Sequence, residues 1–315
     1  MRPLLPDLST IMGGRKASRK GRKSMKEKTI YILWMIPFLV CLAVLTAVPA
    51  FLNFLLSLTP WSLTTPGSLR FVGLYNYHRM ISDPRFLNSM IISFYYIILP
   101  VGIQMILGFL LALALRLRLR GTGVARTLLL IPMVIPPVII GLTWKVLFTP
   151  NLGGVNYYLS LLGIQGPDWL SRPLTAQITV LTAAVWEWAP FVMLLLLAAM
   201  ESIPRELFEA AKIDGASSFQ VTGFIIIPLI RPILIIVVLF RLMDALGILP
   251  IIYIMTKGGP ASATETINFY AYNSGFVYYK VGYAASLIVV LFATTFALSW
   301  YFLNSIARQR EEVLR

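Results

Sequence analysis

The 315-residue sequence contains one cysteine, Cys41, and one histidine, His78, and these two scarcities exclude a great deal of chemistry. A lone cysteine closes no internal disulfide, and the pair cannot build the thiolate and imidazole clusters of a cysteine-rich metal site. Nucleophilic catalysis of the His-assisted kind lacks its base, because His78 falls in a loop between apolar segments rather than inside one. There is no Gly-x-x-x-x-Gly-Lys-Ser/Thr run. The closest string, Gly21-Arg22-Lys23-Ser24, has neither the order nor the preceding strand of a phosphate loop. An integral-membrane enzyme would need carboxylates, histidines or metal ligands gathered at one depth, and the sequence offers no such group. The chain is therefore expected to be non-catalytic, to bind no cofactor and no metal, and to draw any energy from a partner.

Charge is scarce as well: 13% of residues are Asp, Glu, Lys or Arg, against 58% hydrophobic. With a mean hydropathy of +0.79, the chain is too apolar for a soluble domain of this length. Crossing roughly 30 Å of hydrocarbon at about 1.5 Å per residue takes about 20 apolar residues. The pattern predicts an all-α membrane protein with six transmembrane helices, at residues 30–55, 89–115, 127–148, 176–200, 233–255 and 283–306. A basic tail precedes them at 1–29 and a short tail follows at 307–315. The first apolar run continues through Phe51, Leu52, Phe54, Leu55 and Leu56, past the small residues at 47–50, which predicts an uncleaved first span rather than a signal peptide.

Nineteen Lys and Arg fall in residues 1–29, 116–126, 201–232 and after 306, and six in the intervening loops. The positive-inside bias puts both termini and the 201–232 segment in the cytoplasm. A net charge of +14 does not indicate nucleic acid, because the cations are spread over membrane-proximal loops instead of forming one folded basic face. The dense run at 15–28 reads as a topology signal on a solvated tail, with anionic lipid as its possible contact.

Between the fourth and fifth spans lies the most informative stretch, residues 203–228. Pro204 at a first turn and Glu206 and Glu209 in the N-terminal half predict a helix over 203–213. Gly215 ends it, since glycine takes the left-handed conformation of a helix C-terminus without steric cost. Ser217, with Gln220 three residues on, makes a capping box that starts a second helix.

This hairpin resembles the EAA loop of permease subunits from binding-protein-dependent ABC importers: Glu209-Ala210-Ala211, Gly215 six positions after the Glu, then Ile225-Ile226-Ile227-Pro228, with Ile227 where leucine is usual. Phe71-Val72-Gly73-Leu74-Tyr75-Asn76-Tyr77, Ser82-Asp83-Pro84-Arg85-Phe86, Ser202-Ile203-Pro204 and Thr256-Lys257-Gly258-Gly259-Pro260 resemble the carbohydrate branch, the maltose and glycerol-phosphate type permeases. The resemblance runs from Ile30 onward. It implies the MetI-like permease fold, a bacterial or archaeal plasma-membrane location, and an assembly with a second homologous permease, two ATPase subunits that bind ATP and magnesium, and an extracytoplasmic solute-binding protein. The cargo it implies is a sugar or sugar derivative. The EAA loop is shared by importers of peptides, phosphate and metals, so a non-sugar solute stays open; the rival from a different class is an integral-membrane enzyme or an assembly scaffold, and a scaffold has no reason to carry a hairpin matched to an ATPase cleft. For the ATPase contact the resemblance implies Glu209 as a polar contact, Ala210 and Ala211 as small residues allowing close approach, Asp214 as a helix-end hydrogen-bonder and Gly215 as the turn.

A solute path needs imperfect helices and polar groups at depth. Pro100, Pro132, Pro136, Pro137, Pro190, Pro228, Pro232 and Pro250 lie inside or at the edges of the predicted spans, where each removes a donor and loosens a turn. Of the ionisable groups in the spans, Lys145 stands near one end and is expected to snorkel. Arg241 and Asp244, three apart on one helix face, are expected to neutralise each other in the bundle interior. Glu187 lies mid-span between Trp186 and Trp188. Sugars need carboxylate acceptors for their hydroxyls and aromatic faces for their C–H surfaces, but adjacent helical side chains diverge by about 100°, so at most part of this trio faces one cavity. Glu187 either lines a solute path or pairs with a cation or a partner subunit. After the fifth span, Asn268, Tyr272 and Asn273 follow the Gly-Pro turn. In the resembling family this region faces the binding protein and the outer pore mouth; the bland alternative is a turn followed by a reentrant or amphipathic stretch. The loop from Gly73 to Arg85 suggests no chemistry.

Overall fold

The computed structural model describes the backbone of residues 8–313 apart from 66, 118, 119 and 152, and side chains from 31 to 304 except 32, 66, 118, 119, 152, 246, 302 and 303. Among these residues there is no β-strand. The chain divides into residues 1–55 and residues 56–315. The first unit is almost entirely α1 (Leu8–Ser57), whose apolar part, Leu33–Ser57, is long enough to cross a membrane. The basic run expected as a solvated tail is helical in its backbone.

The second unit contains the remaining spans. α2 (Tyr75–Ile81) is a short helix, after which Asp83 caps α3 (Pro84–Arg116) by accepting the Arg85 backbone N–H at 2.9 Å. α7 (Pro173–Glu201) matches the predicted fourth span within three residues at each end. α13 (Val281–Val313) continues past the predicted sixth span, and its apolar portion is Val281–Tyr301. α3 and α7 form the main helix pair, and Gly108 explains how closely they approach. A Cβ there would lie 2.6 Å from the Val192 side chain and 2.9 Å from the Met193 nitrogen, so only glycine fits this crossing.

Two predicted spans are not single rods. The third consists of α4 (Thr122–Val134) and α5 (Pro137–Leu147), which meet at 99°. Pro136 and Pro137 have no backbone donor to offer the preceding turn, and Pro136 forces Ile135 into extended backbone, so the helix stops and restarts. A short α6 (Gly154–Leu161) follows.

The predicted fifth span, 233–255, straddles a second break. Helix begins much earlier, at α9 (Ser218–Val221), passes through a π turn at Thr222–Ile226 and continues as α10 (Ile227–Asp244). The π turn precedes Pro228, whose missing N–H disturbs the regular ladder there. A 3-10 turn, Ala245–Ile248, then leads into α11 (Leu249–Met255). Lys145 does not snorkel outward: its ammonium donates to the Ile254 carbonyl at 3.0 Å, near the C-terminal end of α11, where a cation is favoured.

Candidate functional site: an exposed hairpin and a pocket at helix breaks

α8 (Arg205–Ile213) begins two residues later than predicted because Pro204 takes the extended N-cap position instead of entering the first turn. Its C-terminus is a Schellman motif. Gly215, at φ +73°, donates to the Lys212 carbonyl at 3.2 Å, and Ala216 donates to the Ala211 carbonyl at 2.9 Å. The capping box is present: the Ser217 backbone N–H donates to Gln220 Oε1 at 2.8 Å, and the Gln220 N–H to Ser217 Oγ at 3.3 Å. Residues 205–221 thus form a helix, a left-handed glycine turn and a second, capped helix.

The faces of this hairpin differ. Glu209, Ala210, Asp214 and Gly215 are exposed, whereas Ala211 is buried. Asp214 is the C-cap, its backbone N–H bonded to the Ala210 carbonyl. Ile213 and Phe219, flanking the turn, are 86% and 88% exposed. Phe208 packs into the core cluster of Val192, Leu196 and Ile230, and the Arg116 guanidinium stands 3.8 Å from its ring centroid. One face is thus anchored to the helical body while the other presents apolar and acidic groups.

The second feature is a polar pocket at mid-span. Glu187 stands fourteen residues from either end of α7, about 21 Å at 1.5 Å per residue. Glu187 and Trp188 line a pocket of about 120 Å³ together with Tyr96, Gln104, Arg241 and Asp244. Two helix breaks and a mid-helix proline converge on it: Pro137 at the 99° bend, Ala245, Gly247 and Ile248 of the 3-10 break, and Pro100 at the midpoint of the continuous α3. Trp186 faces elsewhere. It lines a separate, largely apolar recess of about 700 Å³ with Trp144, Pro132 and Pro190, as the divergence of adjacent helical side chains requires.

A relay of polar contacts holds the pocket. Gln104 donates through Nε2 to the Ala184 carbonyl at 2.9 Å and accepts from Arg241 Nε at 3.1 Å. Arg241 Nη1 reaches Asp244 Oδ2 at 2.6 Å, and the guanidinium lies 4.1 Å from the centroid of the Trp188 ring. Arg241 is 3% exposed, yet the Asp244 side chain is 48% exposed, so the pair is formed but is not wholly interior as expected. Glu187 is buried and lines the same pocket as both.

Asn268, Tyr272 and Asn273 do not line this pocket. Asn268 accepts from the Thr266 hydroxyl and, at 2.9 Å, from the Phe269 N–H, at the start of α12 (Ile267–Tyr272). Tyr272 packs on Tyr253, Phe269 and Phe276. Asn273 donates to Glu265 Oε1 at 3.2 Å.

Glu265, which the sequence did not single out, anchors the end of the bundle opposite the hairpin. Arg85 grips it with two N–H···O contacts of 2.7 Å, and Glu265 is 2% exposed. Beside it, the Tyr270 and Tyr283 hydroxyls each donate to Asp83 Oδ2 at 2.6 Å. Burial would raise the Asp83 carboxyl, but these donors and the Arg85 and Phe86 backbone N–H groups hold it below its ordinary value. The Tyr270 hydroxyl, buried and donating to Asp83, is pushed up to about 12. The Gly73 to Arg85 loop thus contributes to a structural latch, which its sequence did not suggest.

Spans broken at depth around a polar pocket, with an exposed hairpin continuing into one of them, are the architecture of a transmembrane transport subunit. Residues 104–311 match the family model described as binding-protein-dependent transport system inner membrane component, and the chain belongs to that family. It is 36% identical over 274 residues to the trehalose/maltose transport system permease protein MalF of Thermococcus litoralis, covering 87% of this chain and 92% of that one. It is 35% identical over 236 residues to the sn-glycerol-3-phosphate transport system permease protein UgpA of Agrobacterium fabrum, covering 74% and 79%. The fold matches a chain of a bacterial alginate ABC transporter, solved in complex with an alginate pentasaccharide-bound periplasmic protein, with a TM-score of 0.80, 19% identity, and 91% and 96% coverage.

Proposed function

We propose that this chain is one of two permeases forming the translocation path of a sugar importer, in which the Glu187 pocket lines the path and the Glu209 hairpin receives the stroke of a separate ATPase. The observation that carries the reading is the convergence of two helix breaks and the mid-helix Pro100 on one polar pocket at mid-span, the place where transporters build solute sites from discontinuous helices. At about 120 Å³ the pocket falls below the roughly 300–1,000 Å³ of complete ligand sites. It is therefore one wall, and the second permease supplies the other.

Continuity between hairpin and pocket gives the coupling a physical route. The helical run from Ser218 to Asp244 starts at the capping box beside Gly215 and ends on the Arg241–Asp244 pair, so displacement at one end moves the other. ATP binding then biases inward-open against outward-open states through contacts that differ between them. In this reading the hairpin and both termini are cytoplasmic, ATP and magnesium sit on the partner ATPases, and an extracytoplasmic binding protein delivers the solute to the far end. The names of the sugar-permease relatives favour a sugar or sugar derivative as cargo.

The test is isolation of the tagged chain from its native membrane, followed by reconstitution. Copurification of an ATPase, a second six-span protein and a solute receptor, with ATP-dependent sugar uptake, is the expected result. A chain that purifies alone, or an assembly that moves no sugar, rejects it.

A further inference from the structure

The polar groups of the mid-span pocket have a charge pattern that the transport role alone does not require. Two carboxylates, Glu187 and Asp244, face a single cation, Arg241. That cation gives Nε to Gln104, Nη1 to Asp244 and one face to the Trp188 ring. The other ionisable lining group is the Tyr96 phenol. An entering anion therefore meets two carboxyl groups beside one guanidinium that already pairs with Asp244. A neutral polyol meets carboxylates able to accept its hydroxyls.

We propose that this pocket selects uncharged sugars or polyols and excludes phosphorylated, sulfonated or uronic-acid solutes, with Glu187 as the excluding group. The inference rests on the pocket lining the solute path. It sets this chain apart from relatives whose printed names specify an anion, such as the glycerol-3-phosphate permease. Glu187 is the informative position because Asp244 is tied to the buried Arg241, and removing it would leave that cation uncompensated.

A cysteine reporter separates the inference from the reading beneath it. Gly247 lines the pocket, and a Cβ there has nothing nearer than Asp244 Oδ1 at 3.9 Å, so Gly247→Cys fits. In a Cys41→Ala background this thiol is the only one in the chain. The assembled transporter, reconstituted in vesicles with its binding protein, is treated with an uncharged thiol reagent. The protecting solutes are a panel of neutral mono- and disaccharides, each matched with its phosphate or uronate. Slowing of labelling by neutral members only is the expected result. Adding Glu187→Gln should then raise protection by the phosphates about tenfold, while Glu187→Asp should not. Protection by a phosphate or uronate in the wild-type pocket, or an unchanged preference in Glu187→Gln, overturns the selectivity and leaves the path intact. Protection by no member of a panel that the same vesicles transport overturns the path itself, and the selectivity with it.

Discussion

The two ends of α7 dispose of their polar groups in opposite ways. Beyond its N-terminal end, charges are matched inside the chain: Arg85 grips Glu265, and Asp83 collects two tyrosine hydroxyls. Beyond its C-terminal end, Glu209 and Asp214 are exposed beside an exposed Ile213 and Phe219. A network satisfied internally stabilises, whereas a well-capped hairpin with unclaimed side chains is built for something else to hold. The first end is thus expected to govern stability and the second activity.

The largest stability effect should come from the latch. Arg85→Ala leaves the Glu265 carboxylate buried without its cation, a loss of about 3 kcal/mol, at the low end for buried pairs because Arg85 is itself a third exposed. Thermal unfolding in detergent should register it as a clear drop in Tm; an unchanged Tm would mean the latch carries no stability. At the hairpin, Gly215→Val puts a β-branched residue at φ +73°, costing about 1–2 kcal/mol confined to the turn. Uptake should be lost while the spans remain inserted, and normal uptake would refute the assigned role of the turn.

The Asp83 carboxyl supplies a pH test. Because its folded value lies below the ordinary 3.8, its contribution is present above that value and disappears as pH falls through the lower folded one. Asp83→Asn should therefore lower stability at neutral pH by about 1 kcal/mol and flatten the acid limb of the melting curve below about pH 4. The smallest effect on stability sharpens the contrast most. Glu209→Ala, on an exposed face, should change stability by less than about 0.5 kcal/mol, yet reduce uptake severely. If it also unfolds the protein, the distinction between the two ends is wrong.

The hairpin was legible in the sequence because its signals are local. Gly215, Ser217 and Gln220 act on their own neighbours, and only the start of α8 moved, by the N-cap placement of Pro204. Arg241 with Asp244 was legible for the same reason, as an i,i+3 pair. The breaks were harder. Prolines marked the region of the bend, but hydrophobicity runs on through Ile135 and through Gly247 to Pro250, so 127–148 and 233–255 looked like plain spans. Gln104 was a lone amide in an apolar run, a signal available but unused. Its importance comes from Arg241, 137 residues away. Glu265 was opaque: it lies in an irregular segment, and its partner is 180 residues distant. Local chemistry could be read directly, while pairings made by the fold could not.

The proposed role of the Glu209 hairpin is to be held by a nucleotide-hydrolysing partner. Glu209→Cys in the Cys41→Ala background, treated in native membranes with a short bifunctional thiol cross-linker, tests it most directly. The expected product is a single adduct to an ATPase whose yield changes with bound nucleotide. Labelling of that cysteine by a membrane-impermeant reagent from outside the cell, or the absence of any ATPase adduct, would contradict the account.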